Sequence, residues 1–553
     1  MAFATRLTPA MAARWRGAGL WSDETFATVL ARWVRATPDR EALTDGTHRL
    51  SYRELAHGID RMAARLRALG IGAGDVVTIQ LPNWVEFAFV FFALERLGAV
   101  AVTVSVDFRS RELEYIMRFA DSKMFVCCAE FRDFDHAAMA AELKPRLPAL
   151  ALVGLIRGAA REGMVSLDDV AAARGEPAGF VPVAMDADAV MRMAFTSGTT
   201  GNPKGVVHTH RSLLARWTAL RQSLGLEKFR RTLCLLPTHF GHGLICNALF
   251  PWLSGQTVLV VPPFQARILP QLGLLVDEHR ITCMSSVPSL WTLALRVAAP
   301  PRTQTLARVL CGSAPLSAAL WRSIQAWTGT SEVINAYGLT ETGSWVAGTT
   351  ATGVVPEDGL IGEPWGATIR ILREGSTNGG FTPTDCAAGE EGRVWIKTPA
   401  LMREYLGRED LTRSAVAAGW FLTGDIGYLD DRGRLYLRGR EREETNKGGI
   451  KVHPADIEAA VQELASTLEV CSFAYDDPLY GQNVALALAL DPANSESIRE
   501  IYLGLTARLA PHQIPARWYV VSHIARTANG KVDRQETARR CAALTPLDTK
   551  KLK

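Results

Sequence analysis

A chain of 553 residues exceeds what one ordinary core can hold, and length alone implies roughly three to five folded units. Its hydrophobic fraction of 48% and charged fraction of 21% are those of a globular enzyme. With Lys+Arg 61 against Asp+Glu 57, the formal charge is only +4, which argues against a dedicated nucleic-acid surface. Nine cysteines, two of them adjacent at Cys127-Cys128, show neither a disulfide framework nor zinc spacing. A reducing cytoplasm is the expected location. The first residues lack the charged, apolar and small-residue succession of a secretory leader.

The elements then follow in order. Residues 22–37 read as a helix, and Ser51 with Glu54 three residues later forms a capping box opening another. Val76–Gln80 is strand-like, Glu86–Leu97 helical, and Val100–Val106 and Lys123–Cys128 strand-like again. The apolar run Phe87–Val104 is broken by Glu95 and Arg96, so it reads as a buried helix and strand, with no transmembrane segment. Strands are expected again at Thr232–Leu236, Gln256–Val261 and Ile281–Ser285, with helices between them, which implies an α/β region with a largely parallel sheet. Pro315 is expected near a helix start. Residues 360–440 turn β-rich, with a hairpin about Asp430-Asp-Arg-Gly433. The charged run Glu441–Lys447 reads as a linker to a small α/β unit.

The richest chemistry lies at Phe195–Gly205. Thr196, Ser197, Gly198, Thr199, Thr200, Gly201 and Lys204 combine glycines, hydroxyls and an ammonium between strand-like flanks, a composition suited to wrapping phosphate oxygens. Gly205 after Lys204 departs from the Walker A pattern, which requires Ser or Thr there. A plain surface loop is the alternative reading. Farther on, Tyr337 offers a flat face for a base, Thr340 a phosphate donor, and Glu341 a hard oxygen for Mg²⁺. Asp425 can accept from both hydroxyls of a ribose, and Arg440 is within reach of the same sugar; a buried Asp–Arg pair is the simpler alternative.

These segments resemble the adenylate-forming superfamily of acyl-CoA synthetases, non-ribosomal adenylation domains and luciferases. The resemblance rests on Thr196–Gly205, Asn335–Thr342, Thr423-Gly-Asp425, Gly439-Arg440 and Thr527–Asp533, in the family's order. It implies ATP, Mg²⁺ and coenzyme A as cofactors, with Tyr337 on adenine, Thr340 on the α-phosphate, Glu341 on magnesium and Asp425 on ribose. Gly312, Ser313, Ala314 and Pro315 would run along the adenine beside Asn335, Ala336 and Gly338. Lys531 would hold the carboxylate and α-phosphate during adenylation. Lys447, Gly448 and Gly449 would line the path of the entering thiol, and Arg442 would be the hinge.

The resemblance also implies the layout. A large N-terminal part, 1–439, would hold two mostly parallel αβ-layered subdomains, about 1–185 and 186–355, and a small β-barrel-like one, 356–439. A mobile small α/β domain, 440–553, would follow a hinge near 440–443. The implied reaction is ATP-dependent joining of a small carboxylic acid to CoA; an acyl carrier protein is the alternative acceptor and a homodimer stays open. His239, Phe240, Cys311 and Trp345 are expected to line the acid's pocket, with Phe240 at the gate. These apolar and aromatic walls favour a medium-chain, branched or aromatic acid.

Overall fold

The computed structural model describes residues 8–168, 180–196, 203–261, 266–350, 353–373, 384–441, 445–447, 450–477, 481–490, 495–509, 513–527 and 530–547. Ser197, Gly198, Thr199, Thr200, Gly201, Arg442, Gly448 and Gly449 therefore lie outside the described residues.

Two sheets carry the large domain. The first has the order Glu404–Tyr405, Lys204–Thr209, Val190–Thr196, Val100–Thr103, Val76–Gln80, Met124–Cys128, Leu152–Ile156 and Val165–Ser166. Its middle strands are parallel, as apolar runs joined by helices require. The second sheet is parallel from Glu41–Thr44 through Thr257–Val260, Arg231–Cys234, Cys283–Ser286 and Arg308–Gly312 to Val333–Leu339. Beyond that strand it continues antiparallel through Ser344–Gly348, Leu360–Pro364, Leu435–Arg440 and Trp420–Leu429. Asp430–Gly433 forms the expected turn between the last two, with the Gly433 N–H donating to the Asp430 carbonyl at 2.9 Å.

The division of the chain near residue 185 does not divide the sheets. Val190–Thr196 pairs with Val100–Thr103, while Glu41–Thr44 crosses to pair with Thr257–Val260. The β-rich stretch joins the edge of the second sheet through Leu360–Pro364 and keeps its own core around Ile369, Ile371, Val394 and Ile396. Thr445–Lys447, expected within a linker, is a strand paired with Ile450–Val452 and with Gly481. The helix after Pro315 begins at Ala318 under a Ser317 cap, so Pro315 stays in the loop and exposed.

One core joins the two sheets. Helix Val85–Leu97 is buried along its whole length and packs between residues such as Val77 and Val126 of the first sheet and Val258 and Leu310 of the second. Ser51 caps Tyr52–Ala68 with the predicted box: Ser51 Oγ accepts from the Glu54 N–H at 3.2 Å, and Glu54 accepts from the Ser51 N–H at 2.8 Å. Among the described residues no helix is long and apolar enough to cross a membrane. The small domain has its own core around Ile457, Leu486, Leu505 and Trp518. It docks on the large domain through Arg296, which donates to the Thr467 carbonyl at 2.6 Å, and Ser289, which donates to the Gly530 carbonyl at 3.3 Å.

A buried arginine ties the halves of the large domain together. Arg216, on helix His210–Leu224, donates to the Thr342 and Trp365 carbonyls and to Thr398 Oγ1. Replacing it leaves these acceptors dry and unpaired. Arg216→Met (R216M) is expected to lower stability by about 3 kcal/mol or more, measured by urea unfolding.

Burial also sets a pH dependence. It depresses the imidazoles of His136 and His210 to about 4 and those of His208 and His242 to about 3. An unfolded chain binds protons at these histidines below about pH 6.5, whereas the folded chain does not, so stability falls as pH drops from there. By pH 5 each removes about 2 kcal/mol, while Glu95, raised to about 7 by burial, offsets roughly one of them. The urea midpoint is expected to be lower at pH 5 than at pH 7. In His136→Gln (H136Q) the difference should shrink; an unchanged difference contradicts this account.

Candidate active site

A cavity of about 1030 Å³ opens between the sheets and beneath the small domain. Its wall takes Thr196 and Lys204 from the first sheet, Thr340 and Glu341 from the second, and Lys531 from the small domain. Residues more than 300 apart in sequence thus share one space.

The turn Thr340–Thr342 is held by its backbone. His208 Nε2 donates to the Thr340 carbonyl at 2.7 Å, the Met402 N–H to that of Glu341 at 2.6 Å, and Arg216 to that of Thr342. Burial keeps His208 neutral, which suits donation from one ring nitrogen only. Tyr405 donates to Glu341 Oε1 at 2.8 Å, and its ring centroid lies 5.3 Å from Lys204 Nζ. The tyrosine therefore spaces a cation from an anion. Among the described residues the second Glu341 oxygen has no hydrogen-bond partner, which fits Mg²⁺ held mostly by phosphate and water.

Beside this turn, Asp425 and Arg440 face each other as paired residues of the hairpin, with Arg440 Nε 2.9 Å from Asp425 Oδ1. The buried Tyr337 hydroxyl donates to the other oxygen of Asp425, and burial next to that carboxylate pushes the phenol far above its usual range. Thr423 and Gly424 bring this hairpin to the cavity, where Arg440 also reaches the wall.

The cavity wall also takes His239, Phe240, His242, Trp345 and Phe108. Trp345 packs edge-on against His242 with ring centroids 4.7 Å apart. His242 Nδ1 lies 2.9 Å from Ser313 Oγ and Nε2 lies 2.5 Å from Ser285 Oγ. With both nitrogens on hydroxyls and its pKa lowered to about 3 by burial, His242 is a polar strut rather than a base. Lys531 Nζ sits 5.9 Å from the Phe240 ring centroid.

Several expectations are corrected. Cys311 is fully buried in the core with Met284 and Leu320, not on the cavity wall, because its side chain points to the helix layer. Gly312 is required by its own sheet: a Cβ there would stand 2.4 Å from the Ala336 carbonyl. Gly338 does reach the wall, and a Cβ there would stand 2.2 Å from the Ser344 carbonyl. The buried Asn335 donates to the Leu360 carbonyl at 2.7 Å and so serves as a strand staple. Ala336, Ala314 and Pro315 stay off the wall, whereas Ser313, held at φ 69°, reaches it. Lys447 lies on the small domain's sheet, paired with Gly481, and is not itself among the residues of the cavity wall. Sequence reasoning missed Tyr405, His208, His242 and Arg216, whose contacts are long-range. Arg192 is the one charge in an otherwise apolar strand.

Residues 30–406 match the family model for the AMP-binding enzyme. A long-chain-fatty-acid–CoA ligase of Mycobacterium tuberculosis is 30% identical over 488 residues, covering 88% of this chain and 92% of that protein. A 2-succinylbenzoate–CoA ligase of Bacillus licheniformis is 28% identical, over 92% of this chain and 98% of that protein. In fold, the chain is similar to an anthranilate CoA ligase solved with anthranoyl-AMP, at TM-score 0.83 and 24% identity over 94% of this chain and 98% of that one. The ATP-bound MatB of Rhodopseudomonas palustris gives 0.76 and 24%, over 94% and 99%. The chain belongs to the AMP-binding enzyme family, among its adenylate-forming acid–CoA ligases.

Proposed function

We propose that this chain activates a compact carboxylic acid, medium-chain, branched or aromatic, with ATP and passes the acyl group to coenzyme A. One observation carries the reading: Lys531 of the small domain and Thr196, Lys204, Thr340 and Glu341 of the large one share a single cavity. A carboxylate is a poor acylating agent because its leaving group would be oxide. Attack of one carboxylate oxygen on the α-phosphorus forms the acyl-adenylate and expels pyrophosphate. Lys204 and Lys531 neutralise the charge that builds on the transferring phosphoryl group, and Thr340 donates to it. Magnesium, held at Glu341, would supply further neutralisation of the phosphates when bound. The ribose would rest at Asp425, whose oxygens keep acceptor capacity beside Tyr337 and Arg440. The thiol then attacks the acyl carbonyl and AMP leaves.

The compact acid is supported by Trp345, Phe240 and Phe108 on the cavity wall. Free CoA is the proposed acceptor, and competition against a holo-acyl carrier protein tests it. The hinge is proposed at Arg442 and the thiol path at Lys447, Gly448 and Gly449. All nine cysteines are free and eight are buried, in keeping with a reducing, cytoplasmic setting.

With Mg²⁺-ATP, a panel of acids and CoA, the expected products are AMP and pyrophosphate in equal amounts; ADP or orthophosphate as the primary product contradicts the reading. Lys531→Ala (K531A) is expected to depress pyrophosphate exchange about 100-fold while largely sparing thioester formation from supplied acyl-adenylate. Equal loss in both half-reactions would refute the role given to Lys531.

A further inference from the structure

Strand Val190–Thr196 delivers more than the start of the phosphate loop. Alternation along a strand puts Arg192, Ala194 and Thr196 on one face, and all three reach the cavity wall. Arg192 is fully buried. Its Nε and Nη2 donate to Thr103 Oγ1 at 3.3 and 3.0 Å, and Nη2 donates to the His239 carbonyl at 2.9 Å. These acceptors are neutral. Nη1 is buried with no hydrogen-bond partner among the described residues. Burial lowers the pKa only to about 10, so the guanidinium stays charged at neutral pH.

Arg216 is the instructive contrast. It is equally buried, yet each of its three nitrogens donates to an oxygen of the fold. Arg192, a residue of the cavity wall, keeps a charge and a buried donor without a partner among the described residues. The carboxylates on that wall are engaged elsewhere: Glu341 with Tyr405, Glu441 with Arg393, and Asp533 with the Glu536 N–H. A buried cation without an anion is costly, and an anionic ligand removes that cost.

We propose that Arg192, steadied by Thr103 and the His239 carbonyl, is a specificity residue that receives a second carboxylate of the acid substrate. This rests on the acid-activating reading above and narrows it to compact dicarboxylic acids, aliphatic or aromatic. Four residues of strand, at about 3.4 Å each, separate Arg192 from Thr196, so it stands apart from the phosphate loop and serves the end of the acid that does not react. One carboxylate is adenylated; the other remains ionised against Nη1.

The test is pyrophosphate exchange with length-matched pairs: glutarate and pentanoate, adipate and hexanoate, isophthalate and benzoate. In at least one pair the dicarboxylate should exceed its partner in kcat/KM by about 10-fold or more. Arg192→Met (R192M) should erase that preference by lowering kcat/KM for the dicarboxylate far more than for its monocarboxylate partner, and Arg192→Lys (R192K) should restore part of it. If the natural chain prefers the monocarboxylate in every pair, the assignment is wrong, even should R192M fail to fold. Equal loss for both members of a pair in folded R192M would mark Arg192 as a mere support for the His239 carbonyl. Absence of exchange with every acid would instead overturn the adenylation reading itself.

Discussion

The site depends on three backbone carbonyls that are not left to solvent. Those of Thr340, Glu341 and Thr342 are taken by His208, the Met402 N–H and Arg216, donors drawn from the strand–helix stretch 208–216 and from the distant residue 402. A turn clamped in this way presents Thr340 and Glu341 to the cavity at a fixed angle. Preorganisation of this kind lets a hydroxyl and a carboxylate act on phosphate without reorganising during the reaction. The same donors join the two sheets, so the stability of the large domain and the geometry of its site share one cause.

The small domain completes the arrangement from outside. Helix Arg534–Cys541 is capped by Asp533, and just before it Lys531 enters the cavity near Phe240. Arg440 reaches the same wall from the hairpin and holds Asp425 beside the buried Tyr337. A lysine carried on a separate core can act in one step and be withdrawn for the next, which suits two half-reactions in one cavity. Arg192, by contrast, sits on a strand inside the first sheet of the large domain.

Much of this was legible in local sequence. The Ser51–Glu54 cap, the buried helix ending at Leu97, the hairpin at Asp430–Gly433 and the cross-strand Asp425–Arg440 pair all depend on neighbours in the chain or on short loops. Composition around Thr196 pointed to a phosphate loop, and Thr196, Lys204 and Thr340 do reach one cavity wall, whereas Tyr337 is buried with its hydroxyl on Asp425. What escaped reading was long-range. Tyr405 meets Glu341 across 64 residues and Arg216 meets Thr342 across 126. Cys311 was misplaced because the register of a strand decides which of two faces a side chain takes, and no local signal set it. Gly312 was expected along the adenine, yet what presses on it is the neighbouring Ala336 carbonyl.

The central claim is that a carboxylate oxygen attacks the α-phosphorus of ATP in the cavity closed by Lys531. It is tested most directly with a substrate acid carrying ¹⁸O in its carboxyl group. One labelled oxygen should appear in AMP for each thioester formed. Label in pyrophosphate or phosphate, or unlabelled AMP, would contradict the account.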